Sequence, residues 1–464
     1  MGSLKPIYKV TVNNHYLNRG DMMKLYLLSR ALYPLSLMLM MSMISGCTHA
    51  SNQPQVSVQP VADKVILKVA QSLMSPKRTL ELQRLIEQFE KEHPTIGIQL
   101  LFPPYETADD TILSMLDKRE EVDIVEVRDI TAHDYASRDF LVNLDNYVEE
   151  WNDFTLLSDN ARLMARDIGN ITYYIPYGLY QVQLYYRKDL FDAKALQVPE
   201  TWAGLFFVGK QLTRPEIGQY GYAFRGGRGA ASTLTSIIQD YNGSNVSVAE
   251  SMFNVDGTTI FKGEHAREAL ELYRKIYVET SHPSSIDWGF NEQVEAFVSG
   301  KAGMLIQDSD VIPLIKDKLK DSQWATAPLP AGPEGVSHYI VGAAGWGIAK
   351  QSEHPEEAWT FISYLSTLDN NRSFADAAGV ISIYNKPLSE EKFSIGPYAP
   401  YTLMANDPLH FQGVKRPSHY AGYSEYLNMG TVLGRKYLQE SLSTDGLLDQ
   451  FDAFWMEQRK QLSD

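Results

Sequence analysis

Between Lys64 and Arg128 the chain alternates two kinds of segment, and this alternation restricts its fold more than any other feature. "KVILKVA" (64–70), "TIGIQLLF" (95–102) and "VDIVEV" (122–127) are short apolar runs of strand length. Between them, "RTLELQRLIEQFEKEHP" places Leu82, Leu85, Ile86 and Phe89 on one helical face, with Pro94 just past its end, and "TADDTILSMLDKRE" reads as a second helix. Strand–helix–strand–helix–strand predicts a parallel sheet with right-handed crossovers, hence an α/β fold. In such sheets ligands sit beyond the carboxyl ends of the strands. Those ends carry Ser72 to Lys77, Pro104-Tyr105-Glu106 and Arg128-Asp129.

The remaining chain extends the pattern. "ITYYIPYGLYQVQLYYRKDLF" is a long extended stretch, "TWAGLFFVGKQL" a helix, and "YGYAFRGGRGAASTLTSIIQDYNG" a strand whose Arg/Gly loop opens into a helix. "EQVEAFVSGKAGMLIQDSD" reads as helix, turn and strand, and the C-terminus as long helices. At 464 residues the chain suits two or three domains. Its formal charge of −15 argues against a nucleic-acid partner and against broad binding to anionic membranes. No repeat or coiled-coil heptad run interrupts it.

The single cysteine, Cys47, excludes a disulfide within one chain and argues against a thiolate metal site. It ends "ALYPLSLMLMMSMISGC", in which the 14-residue apolar run Ala31–Ile44 follows Lys24 and Arg30. That run is short for a membrane span and of signal-peptide length. Ile44-Ser45-Gly46-Cys47 resembles a bacterial lipobox, which implies cleavage before Cys47 and lipid attachment there; the alternative is a buried apolar helix with an incidental cysteine. Residues 1–46 are expected to be a signal peptide, whose true start is Met22 or Met23 if residues 1–21 lie outside it. Residues 47–63, rich in Ser, Gln, Pro and Asn, read as a flexible tether.

Four segments in order are similar to extracellular solute-binding proteins of bacterial ABC transport, of the sugar-binding, maltose-binding-protein-like branch. They are "PYGLYQVQLYYRKDLFDAKALQVPETWAGL", "FVSGKAGMLI", "GWGIAKQSEHPEEAWTFISYL" and "KRPSHYAGYSEYLNMG". The resemblance spans about residues 64 to 460. It implies a two-lobe type II periplasmic-binding-protein fold, with the ligand in a cleft between lobes joined by crossing strands. Lobe 1 is expected at 64–176 and 343–380, lobe 2 at 180–342 and 384–464, with a hinge strand around Pro176-Tyr177. It further implies capture of a carbohydrate by lobe closure, delivery to a membrane permease, and an extracytoplasmic monomer lipid-anchored through Cys47. A sensory lipoprotein serving a receptor is the alternative, and a secreted glycoside hydrolase a weaker one.

A sugar offers weakly apolar faces that stack on aromatic rings and hydroxyls that need fixed donors and acceptors. The candidate ligand residues follow from that pairing. Trp346, flanked by glycines beside the predicted hinge, is expected to be the chief stacking surface, with core packing as the alternative. Tyr105, Trp288 and Tyr423 are further candidate aromatics. Asp129 is a candidate hydroxyl acceptor or a helix cap, with Arg128 as its possible ion partner. Arg225 stands in "FRGGRGAAS", where Gly226, Gly227 and Gly229 leave backbone N–H groups open to a ligand at a helix start; its spacing is not that of a dinucleotide fingerprint. Asp308 lies in "MLIQDSD", where the family often has an aromatic, and is either a ligand acceptor or a cap for "VIPLIKDKLK". Acids in place of that platform suit a smaller, hydroxyl-dense or cationic solute. No nucleophile elbow, zinc-protease motif or P-loop occurs, so no catalytic residue, metal or cofactor is expected.

Overall fold

The structure, a computed structural model, describes residues 64–72, 75–384 and 393–463. Cys47 and the leader therefore lie outside the described residues.

Ten strands organise these residues: β1 (Val65–Ala70), β2 (Ile96–Leu101), β3 (Ile124–Arg128), β4 (Ile175–Tyr186), β5 (Tyr220–Tyr222), β6 (Ala302–Asp308), β7 (Ala325–Ala327), β8 (Ser337–Tyr339), β9 (Val341–Ile348) and β10 (Phe411–Gly413). Eight of them form one sheet, ordered β2-β1-β3-β9-β4-β6-β5, with β7 on β4. β1, β2 and β3 run parallel, in keeping with the helices between them. β9 enters antiparallel between β3 and β4. β8 and β10 make a separate parallel pair.

The twelve-residue β4 belongs to both halves of the sheet. Its first part, Ile175–Gln181, pairs with β9, and its second, Val182–Tyr186, with β6; β7 pairs with its last three residues. The hydrophobic cores divide at the same place. One core gathers Leu67, Phe89, Val125, Trp346 and Phe361 around β1, β3 and β9. Two others gather, respectively, Trp202, Phe224, Tyr273 and Trp455, and Phe297, Leu305, Ile312 and Tyr401, around the second part. The architecture is a two-lobe mixed α/β fold.

Local chemistry explains the crossing. The register of β4 on β9 slips between Pro176 and Gly178, leaving Tyr177 as a bulge residue. A bulge re-aims a side chain and increases local twist. Opposite the slip, a Cβ on Gly345 would lie 2.1 Å from the Ile175 carbonyl oxygen. Glycine there permits β9 to approach β4, which accounts for part of the Gly/Ala composition around Trp346.

Trp346 corrects the expectation made for it. Its side chain is 1% exposed and belongs to the core around β9. Its ring centroid lies 5.1 Å from that of Tyr177 and 6.1 Å from that of Phe374. The small neighbours serve strand pairing, and the indole fills the core beneath.

Candidate ligand-binding cleft

The carboxyl ends of β1, β3, β5 and β6, and the loop after β2, converge on one cavity of about 560 Å³. Strand ends collect function because the chain there leaves the sheet while remaining anchored by it.

The wall built on β1 and β3 is a buried polar network. Ser75 caps the helix Pro76–Glu92, its Oγ accepting from Arg78 N at 3.3 Å, with Pro76 at the first helical position. This places Arg78 in the first turn, 3% exposed. Arg78 Nη2 donates to Glu126 Oε1 at 2.6 Å and to the Tyr177 hydroxyl at 2.7 Å. Tyr177 in turn donates to Glu126 Oε1 at 2.5 Å, and Ser72 N donates to Oε2 at 2.9 Å. Burial pushes the Glu126 carboxyl up, but Arg78 and the bonds from Ser72 and Tyr177 outweigh it and hold the group below the usual carboxylate range.

Basic and acidic groups from both lobes meet around Tyr105 and Asp129. The Arg128 and Arg228 guanidinium carbons lie 5.8 and 5.4 Å from the Tyr105 ring centroid. Both arginines pair with Asp109, Arg128 at 2.9 Å, and Arg228 Nη1 donates to the Tyr105 carbonyl at 2.6 Å. Arg128 thus pairs with Asp109, not with Asp129. Asp129 opens the helix Asp129–Ser137 and is ion-paired with Arg416. Burial holds Asp129 above the usual range against the pull of Arg416 and Arg128. Arg416 also donates through Nη1 to the Tyr423 hydroxyl at 3.2 Å.

Five expected residues therefore line the cavity: Tyr105, Asp129, Arg225, Asp308 and Tyr423. Trp288 and Trp346 do not, which corrects both. The Trp288 indole stacks on His282 at 5.5 Å and 12°, and its Nε1 donates to Ser284 Oγ at 3.1 Å. The glycine loop needs a correction too. Gly226 N donates to Ser285 O and Gly227 N to Trp288 O, both at 2.9 Å, so these amides are spent on backbone. A Cβ on Gly226 would lie 2.5 Å from Ile286 O, and one on Gly227 2.8 Å from Trp288 O. These glycines permit close passage of two chain segments. Arg225 Nε is held by the Arg228 carbonyl at 2.6 Å. The cap preceding "VIPLIKDKLK" is Asp310, not Asp308.

Sequence reasoning missed Arg78, Glu126 and Arg416. An acid with apolar neighbours on both sides, Glu126 between Val125 and Val127 in "VDIVEV", was a usable signal, since an interior strand position rarely holds an unpaired charge. Arg416 carried no local signal; its partner is distant in sequence.

A mixed sheet shared by two lobes, with converging strand ends around one cavity, defines a two-lobe binding protein. Comparison with known proteins agrees. A profile of the bacterial extracellular solute-binding proteins matches residues 75–371. The chain belongs to that family. A mannitol-binding protein of Pseudomonas aeruginosa is 24% identical over 397 residues, covering 80% of this chain and 88% of that one. Among solved structures, a solute-binding protein of Agrobacterium radiobacter in complex with ribitol aligns with TM-score 0.71 at 21% identity, covering 84% of this chain and 98% of that one. A maltose-bound protein of T. maritima aligns with TM-score 0.73 at 19% identity, covering 86% and 100%. The two structural likenesses are of fold.

Proposed function

We propose that the cleft captures a hydroxyl-dense, uncharged solute, a polyol or small sugar, for an ABC importer. The observation that carries this reading is the cavity wall itself, where acids and guanidinium groups lie beside the tyrosines Tyr105 and Tyr423. Fixed donors and acceptors satisfy hydroxyls, and ring faces meet C–H surface. The mannitol, ribitol and maltose ligands of the proteins named above support it. Capture proceeds by closure of the lobes around β4, driven by contacts stronger in the closed form. The protein then presents its ligand to a membrane permease and performs no chemistry on it.

Calorimetry and thermal shift with a panel including D-mannitol, ribitol, D-tagatose and maltose test the reading, because a ligand that binds only the folded state raises Tm by mass action. Silence across the whole panel overturns it. For a panel member that binds, Arg225→Ala is expected to weaken affinity about tenfold or more, the worth of a charge-assisted hydrogen bond. An unchanged Kd removes Arg225 from the ligand.

No helix among the described residues is long and apolar enough to cross a membrane. The lipobox-like Ile44–Cys47 supports a lipid anchor on Cys47 outside the cytoplasm. Cys47→Ser is expected to move the protein from the membrane fraction to the soluble one; unchanged fractionation rejects the anchor.

A further inference from the structure

The cavity does not end at the cluster around Tyr105 and Asp129. One face of the helix Ala230–Asn242 lines it from end to end: Gly229 at the helix start, then Ser232, Ser236, Gln239 and Asp240 at helical spacing. From Gly229 to Asp240 is about 16 Å of helix. Gly229 lies at the cluster, since a Cβ there would be 2.6 Å from the Arg225 guanidinium carbon. A second line of residues runs the same way. Gly342, Ile340 and His338, alternate positions of the chain entering β9, also line the cavity. They span about 13 Å of extended chain. Gly342 lies at the Arg416–Asp129 pair, where a Cβ would be 3.0 Å from Arg416 Nη2 and 3.2 Å from Asp129 Oδ2. The two lines converge, because His338 N donates to Asp240 Oδ1 at 2.6 Å and its ring Nδ1 lies 3.0 Å from the same oxygen. The cavity therefore has an arm that runs from Arg225 and Asp129 to His338. Along it Ser232 is exposed, Ser236 half-buried, and Gln239, Asp240 and His338 buried, so the His338 end is blind.

We infer that this arm is a second hydroxyl-binding subsite, in which His338 Nε2 accepts from a hydroxyl on the ligand's second unit, so that the solute captured has the length of a disaccharide. This deepens the carbohydrate reading and rests on it for the ligand.

The hydrogen bonds at the blind end fix what the ring offers. Asp240, 1% exposed, also accepts from Trp202 Nε1 through Oδ2 at 2.7 Å. With N–H groups on both its oxygens, Asp240 holds the His338 proton on Nδ1 and leaves the lone pair on Nε2. That nitrogen is buried and has no hydrogen-bond partner among the described residues. Nδ1 faces Asp240, so the opposite edge of the ring, with Nε2, is the one left to line the cavity. A buried acceptor left unpaired costs free energy, which a ligand hydroxyl recovers. Leu329 and Met252 line the cavity too and offer apolar surface to C–H faces. A single sugar ring held at Arg225 or Asp129 cannot also reach His338 across the length of the arm, whereas two linked units can.

Calorimetry on the full chain tests this, with ribitol as the one-unit probe and maltose, cellobiose, sucrose and trehalose as two-unit probes. At least one disaccharide is expected to bind about tenfold or more tighter than ribitol, the worth of a hydrogen bond to a buried group. His338→Asn can keep the bond that Nδ1 makes to Asp240 but has nothing in the place of Nε2. It is expected to weaken that disaccharide about tenfold and to leave ribitol unchanged. His338→Gln places a polar group near Nε2 and gives up the bond to Asp240. It is expected to keep more of the affinity than His338→Asn while lowering the ligand-free Tm further; a histidine that serves only the fold gives the weaker binding in the variant with the lower Tm. Should His338→Asn not fold, Ser236→Leu narrows the arm from the helix and is expected to weaken the disaccharide and not ribitol. Heat from ribitol with none from any disaccharide, a disaccharide affinity unmoved by these variants, or an equal loss for ribitol overturns the arm while leaving the carbohydrate reading intact. No heat from any sugar or polyol overturns the carbohydrate reading and the inference with it.

Discussion

Trp346→Ala is expected to lower the stability of the ligand-free protein by about 3–5 kcal/mol, the range for deleting a fully buried large aromatic side chain. The indole is 1% exposed and lies within ring-contact distance of Tyr177 and Phe374. β9 is hydrogen-bonded on both edges, to β3 and to β4, so the backbone cannot collapse into the space left behind. The loss is therefore expected at the upper part of that range. Urea unfolding of ligand-free protein, with the slope of the transition checked for constancy, measures it. A change below about 1 kcal/mol, no more than a conservative Ile→Val truncation costs, contradicts the core assignment.

Glu126→Ala is expected to cost a similar amount, about 3–5 kcal/mol, for an electrostatic reason. Both partners of the Arg78–Glu126 pair are 3% exposed, at 2.6 Å. Removing the carboxylate leaves a guanidinium buried with the Tyr177 hydroxyl and no countercharge from Glu126. The pH dependence identifies the pair. Because Glu126 is held below the usual carboxylate range, its contribution is full above the unfolded carboxylate's pKa of about 4.3 and is lost as pH falls through the lower native value. The difference in stability between wild type and Glu126→Gln should shrink as the solution is acidified below about pH 4. Replacing both partners by apolar residues, as in Arg78→Met with Glu126→Leu, is expected to recover much of the loss. A double variant no more stable than Glu126→Ala argues against unpaired charge as the cause.

These two positions show what was and was not legible in the sequence. The alternation from Lys64 to Arg128 was, since strand length and helical period are local properties. So were the strand ends, and four of the proposed residues, Tyr105, Asp129, Arg225 and Asp308, lie on the cavity for that reason; the fifth, Tyr423, opens a helix. Trp346 was misread because glycines around a tryptophan look alike whether they clear space for a ligand or for a neighbouring backbone. Only the pairing of Gly345 against the Ile175 carbonyl separates the two. Trp288 was misread because stacking on His282 satisfies a ring as well as a sugar does. Arg416 escaped notice because its pairing with Asp129 exists only once the two lobes face each other. Charge partners far apart in sequence leave no periodic trace.

The position of β9 has a consequence for how the protein is made. β3 and β4 are not sheet neighbours; the strand between them is β9, which leaves the ribosome only after Val341 is joined. The N-terminal half of the sheet is synthesised first and stays split down its middle until nearly three-quarters of the chain exists. Domains commonly fold as units while synthesis proceeds. Here the first core has a missing plank, and the exposed edges of β3 and β4 must be kept from pairing with each other or with other chains until it arrives.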